Sequence, residues 1–176
     1  MVLDLTPLGD RAFLARFATE SAARAWAATV RKCEFEGIED VVLAYRSTAV
    51  YADPDRCNLD VLERGLRDLE PTPGAVEPGA RHVVPVLYDG PDLASAASTL
   101  GLGADEVIDF HSGRDYAVFA VGFLPGFPYA GYLPAELSGL ARRGEPRIQV
   151  AAGSVAIAGR QTGIYPSESP GGWHLL

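Results

Sequence analysis

"GFLPGFPYAGYLP", residues 122–134, interleaves glycine and proline with phenylalanine, tyrosine and leucine. Glycine and proline interrupt helices and ladders, so the stretch is predicted to be neither helix nor central strand. Irregular segments are ordinarily polar and solvated, which makes its rings the feature to explain. Just upstream, "DYAVFAVGF" (115–123) reads as a strand that runs straight into it. Downstream, "PRIQVAAGSVAIAG" (146–159) and "QTGIYPSESPGGWHLL" (161–176) are short apolar runs broken by glycine, proline and serine. Short strands with glycine between them predict a small barrel or sandwich. Farther upstream, "RHVVPVLYDG" (81–90) predicts a strand ending in a turn. "PDLASAASTLG" (91–101) and "ADEVIDFHSG" (104–113) predict short helices.

The first seventy residues follow another pattern. "VLDLTPLG" (2–9) and "AFLARFA" (12–18) predict two strands joined at Gly9-Asp10. Thr19 is a candidate cap for a helix over "ESAARAWAATVRKC" (20–33), with Glu20 at its positive end. Trp26, Val30 and Cys33 share one face of it, with Ala22 and Ala23 one turn earlier, and Gly37 ends it. "DVVLAYR" (40–46) and "TAVYAD" (48–53) predict a second strand pair around Ser47. Asn58 can cap a helix over "LDVLERGLRDL" (59–69), whose Leu59, Leu62, Leu66 and Leu69 form a stripe. The order ββαββα predicts an α+β unit with two helices on one face of an antiparallel sheet. "EPTPGAVEPGA" (70–80) is rich in proline and glycine and reads as a linker. The predicted division is an α/β domain over 1–70, a linker over 71–80 and a β domain over 81–176.

Composition excludes several functions. The chain has 176 residues, 48% hydrophobic and 22% charged, with net charge −8. That charge repels a phosphate backbone, so nucleic acid is not an expected partner. The start "MVLDLTPLGD" shows no signal peptide, and no run is long and apolar enough to span a bilayer. Cys33 and Cys57 lack metal-ligand spacing and read as buried, reduced thiols, so the expected location is cytoplasmic. Lys32, in "VRKCEF", is the sole lysine. A Walker A loop is therefore absent, as are a Ser-Ser-Lys amidase site and a biotin-attachment lysine between methionines. Anionic groups must be held by arginine, by backbone N–H groups or by a partner.

Among polar candidates, Arg147 follows Pro146 at a strand start and could fork onto a carboxylate or phosphoryl group, or form a surface salt bridge. Ser154 in "AGSVAIAG" is outside any Gly-x-Ser-x-Gly elbow. Gln161 and Thr162 can offer amide and hydroxyl contacts, and Tyr165 a hydroxyl or only packing. His174, beside Trp173, is the best titrating candidate; His111 is expected to cap or pack, and His82 adjoins the linker. Three scattered histidines predict no metal site.

The three glycine-rich segments together resemble the KipI family, also called allophanate hydrolase subunit 1, and within it the B subunits of bacterial 5-oxoprolinases. The resemblance covers nearly the whole chain and is most specific between His111 and His174. It implies a small N-terminal α/β domain followed by a cyclophilin-like β-barrel. Two departures stand out. Where the family reads Thr-Pro-Arg and Val-Pro-Ala-Gly, this chain has Glu145-Pro146-Arg147 and Val150-Ala151-Ala152-Gly153. The chain also stops at "GGWHLL", where family members continue through further strands, so a barrel incomplete at its C-terminus is expected, with an unpaired edge.

Close glycines let backbone N–H groups reach a ligand, and the rings beside them can wall a pocket or dock a partner. The candidate contacts are Gly122, Phe123, Pro125, Gly126, Phe127 and Tyr129, then Gly153, Ser154, Gln161, Thr162 and Tyr165, and finally Pro170, Gly171, Gly172 and Trp173. Tyr132 adds a ring; Arg147 and His174 are the catalytic candidates. A buried loop plugging the end of the barrel is the competing reading. The resemblance implies ATP-dependent opening of the 5-oxoproline lactam to L-glutamate, with a LamB/YcsF-like A subunit and a carboxyltransferase-like C subunit. This chain would be a non-autonomous component, with ATP bound only in the complex. Two alternatives stay open: a KipI-type inhibitor module of a histidine kinase, and an allophanate or urea carboxyltransferase-type component.

Overall fold

The computed structural model describes residues 2–71 and 79–176. Most of the linker read at 71–80 lies outside the described residues. The chain divides into two units, Met1–Arg81 and His82–Leu176, and its described residues combine four α-helices with several antiparallel sheets.

In the first unit β1 (Asp4–Pro7) and β2 (Ala12–Arg16) pair antiparallel, as do β3 (Ile38–Ala44) and β4 (Ser47–Ala52), in the sheet order β1-β2-β4-β3. Helix α1 (Glu20–Lys32) is capped by Thr19, whose side chain accepts from the Ala22 N–H, and α2 (Leu59–Asp68) by Asn58, which accepts from Asp60 and Val61. Trp26, Ala27 and Val30 of α1 and Leu62 and Leu66 of α2 bury against Leu5, Phe13, Val41 and Val50 of the sheet. The expected ββαββα order holds. Helix α1 ends at Cys33 rather than Gly37, which turns the chain into β3 at φ +78°. A Cβ there would meet Cys57 Cβ at 2.7 Å. Cys33 and Cys57 are free thiols, half-buried rather than buried as expected.

In the second unit, helices α3 (Leu93–Leu100) and α4 (Ala104–Ser112) precede strands β5 (Ala117–Val121), β6 (Pro128–Gly131), β7 (Arg147–Val150), β8 (Val155–Ala158), β9 (Gln161–Ile164), β10 (Ser169–Gly171) and β11 (His174–Leu175). The larger sheet runs β11-β8-β9-β6-β5, and β7 pairs with β10. Strand β8 is buried along its whole length because both faces of its sheet are covered. Its alternate residues divide between two cores. Ile157 packs with Ala96, Ala97 and Val107 of the helices, while Ala156 and Ala158 pack with Phe127, Tyr165 and Trp173.

Two expectations are corrected. Residues 81–90 form no strand: Pro85 has no N–H to donate, and Val83 and Leu87 are exposed. The stretch 122–134 does contain a central strand, since β6 lies between β9 and β5. Pro128 is tolerated as its first residue, where it costs the least pairing. Gly163 lets β9 approach, for a Cβ there would meet the Phe127 ring at 2.8 Å and the Pro128 carbonyl at 2.9 Å. Among the described residues no helix is long and apolar enough to cross a membrane.

Candidate functional site

Residues 122–127 form the tip of the β5–β6 hairpin, closed by the Gly122 N–H on Phe127 O (3.1 Å) and the Phe127 N–H on Leu124 O (3.0 Å). Gly126 takes φ +85° and, against the steric preference of a ring-bearing residue, Phe123 takes φ +67°. This turn carries Phe123 outward, 60% exposed, and leaves Phe127 1% exposed. Phe127 meets Tyr165 at 5.1 Å, Tyr129 at 5.1 Å and Trp173 at 5.5 Å between ring centroids, all steeply inclined. Edge-to-face pairs of this kind add to their area burial. The stretch thus splits: Phe127 is buried among the rings, and Phe123 stands exposed 5.5 Å from it between centroids.

Beside Phe127 opens a cavity of about 230 Å³. Rings of Phe123, Phe127, Tyr129, Tyr165 and Trp173 wall it, together with Pro146, Pro170, Gly171, Gly172 and the exposed Arg142. Burial pushes the Tyr165 hydroxyl above its ordinary pKa, while a hydrogen bond from the Trp173 backbone and the Arg142 charge pull it down. It is a neutral donor at physiological pH. Gly171 is required by close approach: a Cβ there would overlap the Tyr165 hydroxyl and lie 2.9 Å from ring carbon Cζ. Gly171→Ala is expected to drive the Tyr165 ring off its seat at a cost of about 1–3 kcal/mol, read as a lower midpoint in chemical denaturation.

The sequence candidates divide. Phe123, Phe127, Tyr129, Tyr165, Pro170, Gly171, Gly172 and Trp173 converge on the cavity; Gly122, Pro125 and Gly126 shape the tip that carries Phe123. Arg147 is engaged elsewhere. It donates to both oxygens of Asp92, at 2.7 and 2.8 Å, and Arg143 donates to the same carboxylate at 2.6 Å. Asp92, 3% exposed, also accepts from the Leu175 N–H at 2.9 Å. Burial alone would raise its pKa; the hydrogen bonds of Arg147 and Leu175 and the two arginine charges outweigh that and hold it below the usual carboxylate range. This is an internal anchor joining α3, β7 and β11, not the surface salt bridge weighed for Arg147.

His174 is also outside the cavity lining; its Nε2 lies 2.9 Å from the Ala141 carbonyl, so that nitrogen carries the hydrogen. Gly153 (φ +85°) donates to Tyr165 O at 2.7 Å, and Ser154 accepts at its carbonyl from the Tyr165 N–H at 2.9 Å. Both brace the Tyr165 backbone. Gln161 and Thr162 belong to β9, and the Thr162 hydroxyl pairs with His111 at 2.8 Å. His111 packs, as expected, with its Nδ1 2.7 Å from the Tyr88 hydroxyl. Tyr132 lies under the Arg160 guanidinium, 4.1 Å from its carbon to the ring centroid. Among the described residues no group of three or more candidate metal ligands comes together. Sequence reasoning missed Arg142, Pro146 and Asp92. "ARRGEPR" (141–147) offers three arginines, and nothing local says which one faces the cavity.

The family described as carboxyltransferase domain, subdomain C and D, matches residues 3–176. The chain is 40% identical to the 5-oxoprolinase B subunit of Escherichia coli O157:H7, over 89% of this chain and 73% of that protein. It is 35% identical to the 5-oxoprolinase B subunit of Bacillus subtilis strain 168, over 96% of this chain and 79% of that one. The crystal structure of TTHA0988 superposes with a TM-score of 0.82 at 40% identity over 94% of this chain. The present chain spans about a third of that protein, 34%.

Proposed function

The chain belongs to the carboxyltransferase domain family, subdomain C and D, and from that premise we propose that it is the B subunit of an ATP-dependent 5-oxoprolinase. In this reading it converts 5-oxo-L-proline, ATP and water to L-glutamate, ADP and phosphate only together with a LamB/YcsF-like A subunit and a carboxyltransferase-like C subunit, in the cytoplasm. The two-domain arrangement, with the second unit part of a cyclophilin-like barrel, belongs to the same proposal. The observation that carries it is the identity with two B subunits along most of their length. The cavity agrees with it: walls, a donor and a cation, but no nucleophile paired with a base. Such a site binds and orients, and leaves the chemistry to be completed by a partner.

The residues present do not fit a nucleoside triphosphate. The cavity has one cation for several phosphate charges, and the sole lysine lies in α1 of the other unit. Nucleotide binding is accordingly assigned to the partner proteins, and no step in this chain runs through it. The exposed apolar side chains Val118, Val121 and Phe123, on and beside edge strand β5, favour a contact with another protein. That same face suits the KipI-type alternative, a module that docks on a kinase.

Purified A, B and C subunits mixed with 5-oxoproline and ATP are expected to release glutamate, and omission of this chain is expected to abolish it. Glutamate release unaffected by omission would end the proposal. Phe127 and Trp173 are buried and unsuited as interface anchors; changing them would damage the fold. Phe123→Ser with Val121→Ser is instead expected to break co-elution with the carboxyltransferase-like partner at micromolar concentration, with Tm little changed.

A further inference from the structure

Among the residues lining the cavity, Arg142 alone carries a formal charge. Its neighbours in sequence, Arg143 and Arg147, are neutralised by Asp92, whereas Arg142 has no ion-pair partner among the described residues. No carboxylate lines the cavity to compete for it. In a protein of net charge −8, an unpaired guanidinium in the lining of an aromatic cleft is a local inversion of sign. Tyr165 shares that lining, and the Arg142 charge pulls down the pKa of its hydroxyl. That hydroxyl accepts from the Trp173 backbone and so keeps its own hydrogen to donate. A volume of about 230 Å³ is roughly the room of seven or eight waters, enough for one small ring with a substituent. The inclined rings of Phe127, Tyr129 and Trp173 favour a flat one.

We propose that Arg142 is the specificity residue of this cavity, gripping the carboxylate of a small flat-ringed monoanion while Tyr165 donates to a second acceptor on the same ring. The ring's identity rests on the 5-oxoprolinase reading; the preference for a carboxylate does not. Guanidinium matches a carboxylate in a two-pronged geometry that a neutral amide cannot reproduce.

The test titrates the full chain, by calorimetry at millimolar ligand, with 5-oxoproline and with its neutral carboxamide, 5-oxoprolinamide. The wild type is expected to prefer the carboxylate by at least tenfold. Arg142→Gln is expected to erase that preference and leave amide binding unchanged, and Arg142→Lys to retain part of it. In the reconstituted complex, Arg142→Gln is expected to raise KM for 5-oxoproline at least tenfold with kcat within a factor of two or so. Equal affinity for both probes in the wild type, a preference that survives in Arg142→Gln, or no binding of either probe overturns the assignment. A carboxylate preference in a chain whose complex releases no glutamate would retire the 5-oxoprolinase reading and leave the Arg142 assignment standing.

Discussion

Asp92→Ala is expected to destabilise the second unit by about 3–5 kcal/mol, the cost typical of removing one partner from a buried ion pair. The carboxylate holds four hydrogen bonds, two from Arg147, one from Arg143 and one from the Leu175 N–H. Its loss leaves two half-buried guanidinia without a counter-charge and a buried N–H without an acceptor. Domains are stable by only about 5–15 kcal/mol, so the change should be evident as a fall in Tm or in denaturation midpoint. Arg147→Ala should cost less, because Arg143 and Leu175 still hold the carboxylate. Its effect falls on stability as well as on any activity, contrary to a purely catalytic role. The pH signature follows from the sign of the shift. The folded pKa of Asp92 lies below its ordinary 3.8, so its contribution is complete above that value and is lost as pH falls through the lower folded one. An Asp92→Ala protein with the wild-type midpoint at neutral pH would show that the anchor is ornamental.

The difference between Asp92 and the caps of the first unit explains what is legible in the sequence. Thr19 and Asn58 act on N–H groups two or three residues away, so their role is written locally and both helices can be read. The apolar run of β8 and the glycine-rich path to Trp173 are legible for the same reason. Arg147 and Asp92 are 55 residues apart, and His111 and Thr162 are 51 apart. Only the fold brings such pairs together, and each claims a residue that local reasoning offers to a ligand. Residues 81–90 show the converse failure. Their apolar pattern is strand-like, but a strand requires a hydrogen-bonded partner, and none of the described strands pairs with them. β6 escapes for a different reason: the rule against proline in ladders governs a single position, and Pro128 occupies only the strand's first.

The acid limb should contain a second, earlier event, and His111 is its source. The ring is 6% exposed, and burial lowers its pKa from 6.5 to about 4. Its surroundings suit the neutral form. The Thr162 hydroxyl donates to Ala156 O at 3.1 Å, so at His111 it can only accept. Nε2 therefore carries the hydrogen, and Nδ1 accepts from the Tyr88 hydroxyl. A proton added at Nδ1 would face that donor and force it to turn. Because the unfolded chain takes up the proton first, the stability due to neutral His111 is complete above pH 6.5 and declines toward pH 4. A pKa unit corresponds to about 1.4 kcal/mol, so the whole decline is roughly 3 kcal/mol. Asp92 contributes only below this window, which separates the two. Denaturation midpoints measured from pH 7 to pH 4 are expected to fall in the wild type and to flatten in His111→Gln, whatever the substitution costs at neutral pH. Parallel curves would mean that His111 takes up its proton as readily in the folded as in the unfolded chain, and that the Tyr88–His111–Thr162 chain does not hold it neutral.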